Sequence, residues 1–375
     1  MAGIYIHIPY CRKVCFYCDF HFTVSVKHMD DMIQAICTEA VERKDYMNNE
    51  IIQTIYFGGG TPSVLVPGDV NRIMDVLYSH YPIIENPEIT FETNPDDLTE
   101  NYLSKLKNET RINRLSIGIQ SFHDQHLIWM NRRHTARDAM DSIKRSQDKG
   151  FHNINVDLIY GIPGMTHEMW NDNIDKFLEF NVSHLSAYHL TIEPDTIFGR
   201  RKRKGHIIEM NDDESFRQFR FLIEKMNAHG FDHYEISNFA KDNAYSRHNL
   251  NYWNFGSYIG LGPSAHSFNQ TSRQWNLKVN SHYIEKIQNK EDFCDKEELT
   301  ENEMFNEYVM VSLRTKTGID TKQILNMFGE EKNNYIKKAA SSFVKSGHIE
   351  MHENCFFLTL EGKFISDYII SKLFV

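Results

Sequence analysis

Ile4-Tyr5-Ile6-His7-Ile8-Pro9-Tyr10-Cys11-Arg12-Lys13-Val14-Cys15-Phe16-Tyr17-Cys18 passes from an alternating apolar run straight into three closely spaced cysteines. Isoleucine at every second position is the period of a strand. Runs of this kind recur downstream. Residues 51–57 read as a second strand, stopped by Gly58-Gly59-Gly60, and further strands are expected at 88–92, 114–120, 153–160 and 184–190. Helical patterns lie between them, with Ile33, Ile36, Cys37, Ala40 and Val41 on one face, then Val70, Ile73, Met74 and Leu77 on the next. Six strand–helix units in succession predict an α/β fold with a parallel sheet and helices outside. Six units rather than eight make this an incomplete (β/α)6 barrel, whose chemistry collects at the C-terminal ends of its strands.

After residue 191 the pattern changes. A helix carrying Phe216, Phe219, Ile223 and Met226 leads to a stretch at 232–268, dense in His, Asn, Tyr and Gly, that reads as loop-rich. From about residue 300 the signal is helical, with Met304, Tyr308 and Val311 on one face. A hairpin is expected at 347–358, turning at Glu353-Asn354, with Thr359 capping a last helix. Helices followed by a hairpin suggest a small C-terminal α+β domain of winged-helix type. The expected division is a partial barrel at 1–195, a barrel-completing region at 196–299 and the small domain at 300–375.

The net charge of −10 argues against a dedicated nucleic-acid binder. Six cysteines in 375 residues are too few for a disulfide scaffold, and they fit a reducing cytosol. No run approaches the roughly 18 apolar residues of a membrane span. The first ten residues lack the basic start and long apolar stretch of a signal peptide. The expected location is cytoplasmic.

Cys11, Cys15 and Cys18 follow the first strand with spacings of three and two residues. Thiolates at such spacing suit an iron–sulfur cluster held by one loop. Three ligands leave one iron of a [4Fe–4S] cubane open. That iron can chelate the amino and carboxylate groups of S-adenosylmethionine (SAM), and an electron can then break its S–C5′ bond. A zinc site would need a fourth ligand, which His7 or His21 would have to supply. Tyr17 is placed to shield the cluster, or else simply packs in the core. Gly58-Gly59-Gly60-Thr61-Pro62 ends the second strand and lets a ligand approach bare backbone. Glu92, Gln120 and Asp157 end later strands at the same predicted mouth, where carboxylates and amides suit ribose hydroxyls and an ammonium group.

Together these motifs, with Asp157-Leu158-Ile159-Tyr160-Gly161-Ile162-Pro163-Gly164, resemble the radical SAM family, and within it the oxygen-independent coproporphyrinogen III oxidase group. The resemblance covers almost the whole chain. It implies that Tyr5, Gly59, Gly60, Thr61, Glu92, Gln120, Arg132 and Asp157 contact SAM. Arg132 sits in Asn131-Arg132-Arg133-His134, which differs from the usual Gly-Arg-x-His.

Two branches of that group differ in function. The oxidase has a cysteine two residues after the third cluster cysteine, where this chain has Phe20, and a longer N-terminal extension. Both departures resemble the heme chaperone branch (HemW), which also carries His-Asn-x-x-Tyr-Trp. Here that is His248-Asn249-Leu250-Asn251-Tyr252-Trp253. The resemblance implies a carrier rather than an oxidase, one that binds heme and hands it to apo-hemoproteins such as membrane respiratory enzymes. It makes 196–299 the heme-associated region. A histidine can ligate heme iron, and Tyr and Trp offer flat faces to a porphyrin. The alternative is that these aromatics plug the barrel, with His248 hydrogen-bonded in place. The runner-up function is porphyrin biosynthesis as a coproporphyrinogen III dehydrogenase. The run Arg200-Arg201-Lys202-Arg203-Lys204 reads as solvated surface, or as a peripheral contact for anionic lipid or heme propionates.

Overall fold

The computed structural model describes residues 2–375. Its frame is six parallel strands in sequence order: β1 (Ala2–Ile8), β2 (Ile52–Gly59), β3 (Ile83–Thr93), β4 (Arg114–Gln120), β5 (Asn153–Tyr160) and β6 (His184–His189). Outside lie α1 (Met29–Glu42), α2 (Pro67–His80), α3 (Glu100–Glu109), α4 (Asp124–Trp129), α5 (Ala136–Asp148) and α6 (His167–Glu179). Side-chain caps start several of these helices. Thr135 and Asp138 form a capping box on α5, and Thr166 caps α6.

The two faces of the sheet differ in chemistry. Register places Ile6, Phe57, Phe91, Leu115 and Ile154 in one row on the outer face. These residues are buried in the main apolar cluster beneath the helices. Inner rows are polar. Tyr5, Tyr56, Thr90 and Arg114 align, and the next row is His7, Gly58, Glu92, Ser116, Asn155 and His184. Asn155 stitches three strands together. Its Nδ2 donates to Ser116 Oγ (2.8 Å), and its Oδ1 pairs with His184 Nδ1 (2.6 Å).

The chain continues through α7 (Ile197–Arg203), α8 (Asp212–Ala228), β7 (Asp232–Glu235), β8 (Asn238–Ala240), α9 (Arg247–Trp253), β9 (Ser257–Leu261), β10 (His266–Phe268), β11 (Ser272–Asn276), α10 (Asn280–Gln288) and β12 (Cys294–Glu298). Residues 232–268, expected as loop, therefore hold four short strands and a helix. The elements are too short, and their inward residues too polar, to give a periodic signal. β9 adds a seventh parallel strand beside β1, so the first strand is internal to a 12-stranded sheet.

The C-terminal part holds α11 (Glu301–Ser312), β13 (Ile319–Asp320), α12 (Thr321–Lys345), β14 (Ile349–His352), β15 (Cys355–Leu358), α13 (Leu360–Phe364) and α14 (Ser366–Leu373). The expected hairpin is β14–β15, with Glu353 at φ 54°, and Thr359 caps α13. A second apolar cluster forms here and takes in Phe255 and Phe268. Phe364 packs on Phe216 of α8, with ring centroids 5.0 Å apart. Among the described residues no helix is long and apolar enough to cross a membrane.

One buried network fastens the first helix to the last strands of the sheet. Glu39 of α1, with no exposed surface, accepts from Arg43 Nη1 (2.7 Å), Asn276 Nδ2 (2.7 Å) and the Gly262 N–H (2.8 Å). Arg43 also reaches Ser267 Oγ and Gln274 Oε1. Removing one charge of a buried pair strands the other. Glu39→Gln is expected to lower the unfolding free energy by about 3 kcal/mol in urea denaturation. A loss below about 1 kcal/mol would show that this network does not fasten the sheet.

Candidate functional site

The cysteine loop crosses the C-terminal ends of the strands and is fixed by backbone contacts on several sides. Cys11 N–H donates to Thr23 O (2.9 Å), Phe16 N–H to Met130 O (3.1 Å), and Asn131 Nδ2 to Val14 O (2.7 Å). Phe198 N–H of α7 donates to Phe16 O (2.9 Å), and Arg201 lies over the Phe16 ring. Lys202 pairs with Glu209, and Arg200 and Arg203 donate to Asp195 O (3.0 Å) and Pro194 O (2.7 Å), so four of the five basic residues of the run are engaged within the protein.

Cys11, Cys15 and Cys18 line one cavity of about 440 Å³. Burial pushes the Cys11 thiol up to about 11 and the Cys18 thiol up to about 12. A bound soft metal would displace those protons. Two of the sulfurs are joined by a hydrogen-bonded bridge. Cys15 Sγ accepts from Arg132 Nη1 (3.4 Å), and Arg132 Nη2 donates to Asn94 Oδ1 (2.6 Å). Asn94 Nδ2 donates to Thr61 Oγ1 (3.2 Å), which lies 3.2 Å from Cys11 Sγ. Donors aimed at the sulfurs, a half-buried setting and three thiols in one wall fit the cluster implied by the sequence.

The expected SAM residues gather around the same cavity. Tyr17, Gly59, Gly60 and Thr61 line one side. Glu92, Gln120, Arg132 and Asp157 line another. Gly59 has φ 105°, and a Cβ on Gly60 would come within 2.7 Å of Tyr10 O, so this edge admits only bare backbone. A register shift in β4 leaves Gln120 at φ 67°, a strained left-handed conformation that turns it into the cavity. Glu92 accepts from the Tyr56 hydroxyl (2.8 Å), and burial pushes its carboxyl up to about 8. Burial also raises Asp157, which accepts from Asn155 Nδ2 (2.7 Å) and Ser116 Oγ (3.3 Å). Tyr5 stands one position back. Its ring stacks on Tyr56, and its hydroxyl meets His7 Nδ1 at 3.2 Å.

The His-Asn-x-x-Tyr-Trp segment forms α9, which sits against the early part of β1 and β2. Glu88 receives its first N–H groups, from Arg247 (3.2 Å) and His248 (3.0 Å). His248 is buried, with Nδ1 at 2.8 Å from Thr54 Oγ1 and Nε2 at 2.8 Å from the Tyr252 hydroxyl. Burial lowers its imidazole to about 3, so the ring is neutral. In this conformation neither nitrogen is open to an iron. Asn249, the next residue, does line the cavity. Trp253 points elsewhere, with Arg314 6.0 Å from its ring. The sequence reading passed over Tyr56, Asn94 and Arg114, all of which line the cavity. Tyr56 and Arg114 occupy inner-facing positions of β2 and β4, and Asn94 directly follows β3.

Residues 5–177 match the radical SAM superfamily. The chain is 33% identical to the heme chaperone HemW of Bacillus subtilis over 98% of this chain and 97% of that protein. It is 35% identical to the Escherichia coli heme chaperone HemW over 70% and 69% of the two chains. The fold is similar to that of the Escherichia coli coproporphyrinogen III oxidase HemN, a radical SAM enzyme, with a TM-score of 0.85, 22% identity, and coverage of 100% of this chain and 90% of that one. Membership of the superfamily implies SAM and a [4Fe–4S] cluster. With whole-length likeness to the chaperones and the three cysteines in one wall, the chain belongs to the HemW heme chaperone family of radical SAM proteins.

Proposed function

We propose that this protein binds heme and passes it to apo-hemoproteins, with a [4Fe–4S] cluster on Cys11, Cys15 and Cys18 and SAM beside it. When bound, the cluster supplies an electron and an open iron for the amino and carboxylate groups of SAM. Glu92, Gln120 and Asp157 accept hydrogen bonds from ribose hydroxyls and the ammonium group. Arg132 balances the thiolate charge, and Tyr17 screens the loop from water.

The observation that carries the reading is one cavity joining the cysteine loop to Asn249 of α9. The chaperone motif and the cluster motif, far apart in sequence, thus serve the same space. Phe20 supports the carrier over the oxidase. Where the oxidase branch has a cysteine, this chain puts an aromatic ring that is 71% exposed at the cavity mouth. Such a ring offers a porphyrin an apolar face. His248 is assigned the floor of the barrel, through Thr54 and Tyr252, rather than the iron.

Anaerobic hemin titration of cluster-loaded protein tests this reading. Saturable, stoichiometric binding is expected, followed by transfer to an apo-hemoprotein. Release of 5′-deoxyadenosine coupled to decarboxylation of coproporphyrinogen, without heme binding, would replace the carrier with the oxidase. His248→Gln is expected to leave the Soret position of bound hemin unchanged, whereas a shifted band would return His248 to the iron.

SAM binding gives a second check. Below about pH 8 the empty cavity holds Glu92 as a neutral acid. Its ionised form is the better acceptor for cationic SAM. SAM affinity is therefore expected to rise as pH passes upward through about 8, and Glu92→Gln should flatten that rise. An equal rise in the variant would remove Glu92 from the SAM site.

A further inference from the structure

Arg114, the first residue of β4, is 2% exposed and lines the cavity. Among the described residues it forms no ion pair. Its Nε has no hydrogen-bond partner, and Nη1 makes only a long contact, 3.5 Å to Thr90 Oγ1. A buried guanidinium has five N–H donors to satisfy, and leaving them idle is costly. The carboxylates nearby are already taken. Glu88 caps α9, Glu92 holds the Tyr56 hydroxyl, and Asp157 holds Asn155 and Ser116.

Register fixes the depth of this group. Arg114 aligns with Thr90, two residues before the Ser116–Glu92 pair. It therefore lies roughly 7 Å deeper along the strand than the acidic rim. Asn249 of α9 lines the same cavity. Tyr56 stands at the level of Arg114, and the wall toward the mouth carries Ile159, Tyr188 and Leu190, flat or apolar side chains that suit a planar ring.

We propose that Arg114 and Asn249 form a carboxylate subsite at the cavity floor, and that its occupant is a propionate of the heme. The proposal rests on the heme-carrier reading and deepens it. A planar guanidinium matches a carboxylate through two parallel N–H···O bonds, and an adjacent amide adds a third donor. The carboxylate of SAM is needed at the cluster end, beside Arg132, so the deep guanidinium is left for a second molecule. The subsite also explains why the motif helix presents Asn249, rather than His248, to the cavity.

The test compares hemin with hemin dimethyl ester, whose propionates are capped, on cluster-loaded, SAM-bound protein. Wild type is expected to bind hemin about tenfold more tightly than the ester, the worth of one charge-assisted hydrogen-bonded pair. Arg114→Met is expected to bind both alike, and Asn249→Ala to narrow the preference. Equal affinity of wild type for the two ligands would overturn the subsite while leaving heme carriage intact. A preference that survives in Arg114→Met would do the same. No binding of either ligand would remove the heme reading and this proposal with it. SAM affinity separates the two sources of carboxylate. Loss of SAM binding in Arg114→Met, with the hemin preference kept, would assign the group to SAM and overturn the proposal. Because the wild-type comparison needs no variant, equal affinity for the two ligands overturns the subsite even where Arg114→Met folds poorly, and Asn249→Ala then carries the assignment.

Discussion

A polar group taken out of water must find a partner inside the protein, and here that demand falls on the inner face of six parallel strands. Helices cover the outer face, so the inner rows of Thr54, Glu88, Arg114, Ser116, Asn155 and His184 have no bulk solvent to fall back on. The fold answers by filling the lower lumen with more polar groups. α9 enters there and gives its N-terminal N–H groups to Glu88 and the His248 imidazole to Thr54, the other ring nitrogen being met by Tyr252 one turn on in the same helix. Asn155 and Ser186 tie β5 and β6 to Asn238 of β8. What remains above this network is the cavity, and its walls are the strand ends and the cysteine loop.

The same constraint decides what was legible in the sequence. The six strands could be read because their outward residues, Ile and Leu above all, meet the helices and must be apolar. The cysteines, Gly58-Gly59-Gly60 and the acidic strand ends were legible because each sits at a break between elements, where spacing carries chemistry. The segment from 232 to 268 was not. Its strands are three to five residues long, and their pairing depends on partners far away in the chain, as β9 depends on β1. Nor could spacing tell a ligand histidine from a satisfied one. His248 reads equally well as either until Thr54 and Tyr252 are placed around it. Arg114 carried no motif, because a lone polar residue in a strand has many plain explanations, and Asn94 sits just past β3 and before Pro95, where a polar turn residue is ordinary.

The upper part of the barrel is organised before any ligand arrives. The Cys15–Arg132–Asn94–Thr61–Cys11 bridge draws on the cysteine loop, β3, β2 and the loop after α4. On the outer side Asp97 accepts from Ser63 Oγ (2.8 Å) and Arg133 Nη2 (2.9 Å), and it pairs with Arg12 (3.3 Å). The loops that frame the cluster position are thus braced from both sides. Such bracing is what a metal site needs if its ligands are to be held rather than recruited.

β1 lies between β2 and β9, and this arrangement has a consequence for biosynthesis. A ribosome releases the cysteine loop early but emits β9 only after some 250 further residues, roughly ten to fifty seconds later at ordinary elongation rates. Through that interval the strand bearing the loop has one open edge, and α9 has not arrived to fill the lumen beneath it. The nascent thiols stand on an unfinished support. Their final setting exists only when the two ends of the barrel segment have met, so the three-cysteine site is completed late in folding rather than at its start.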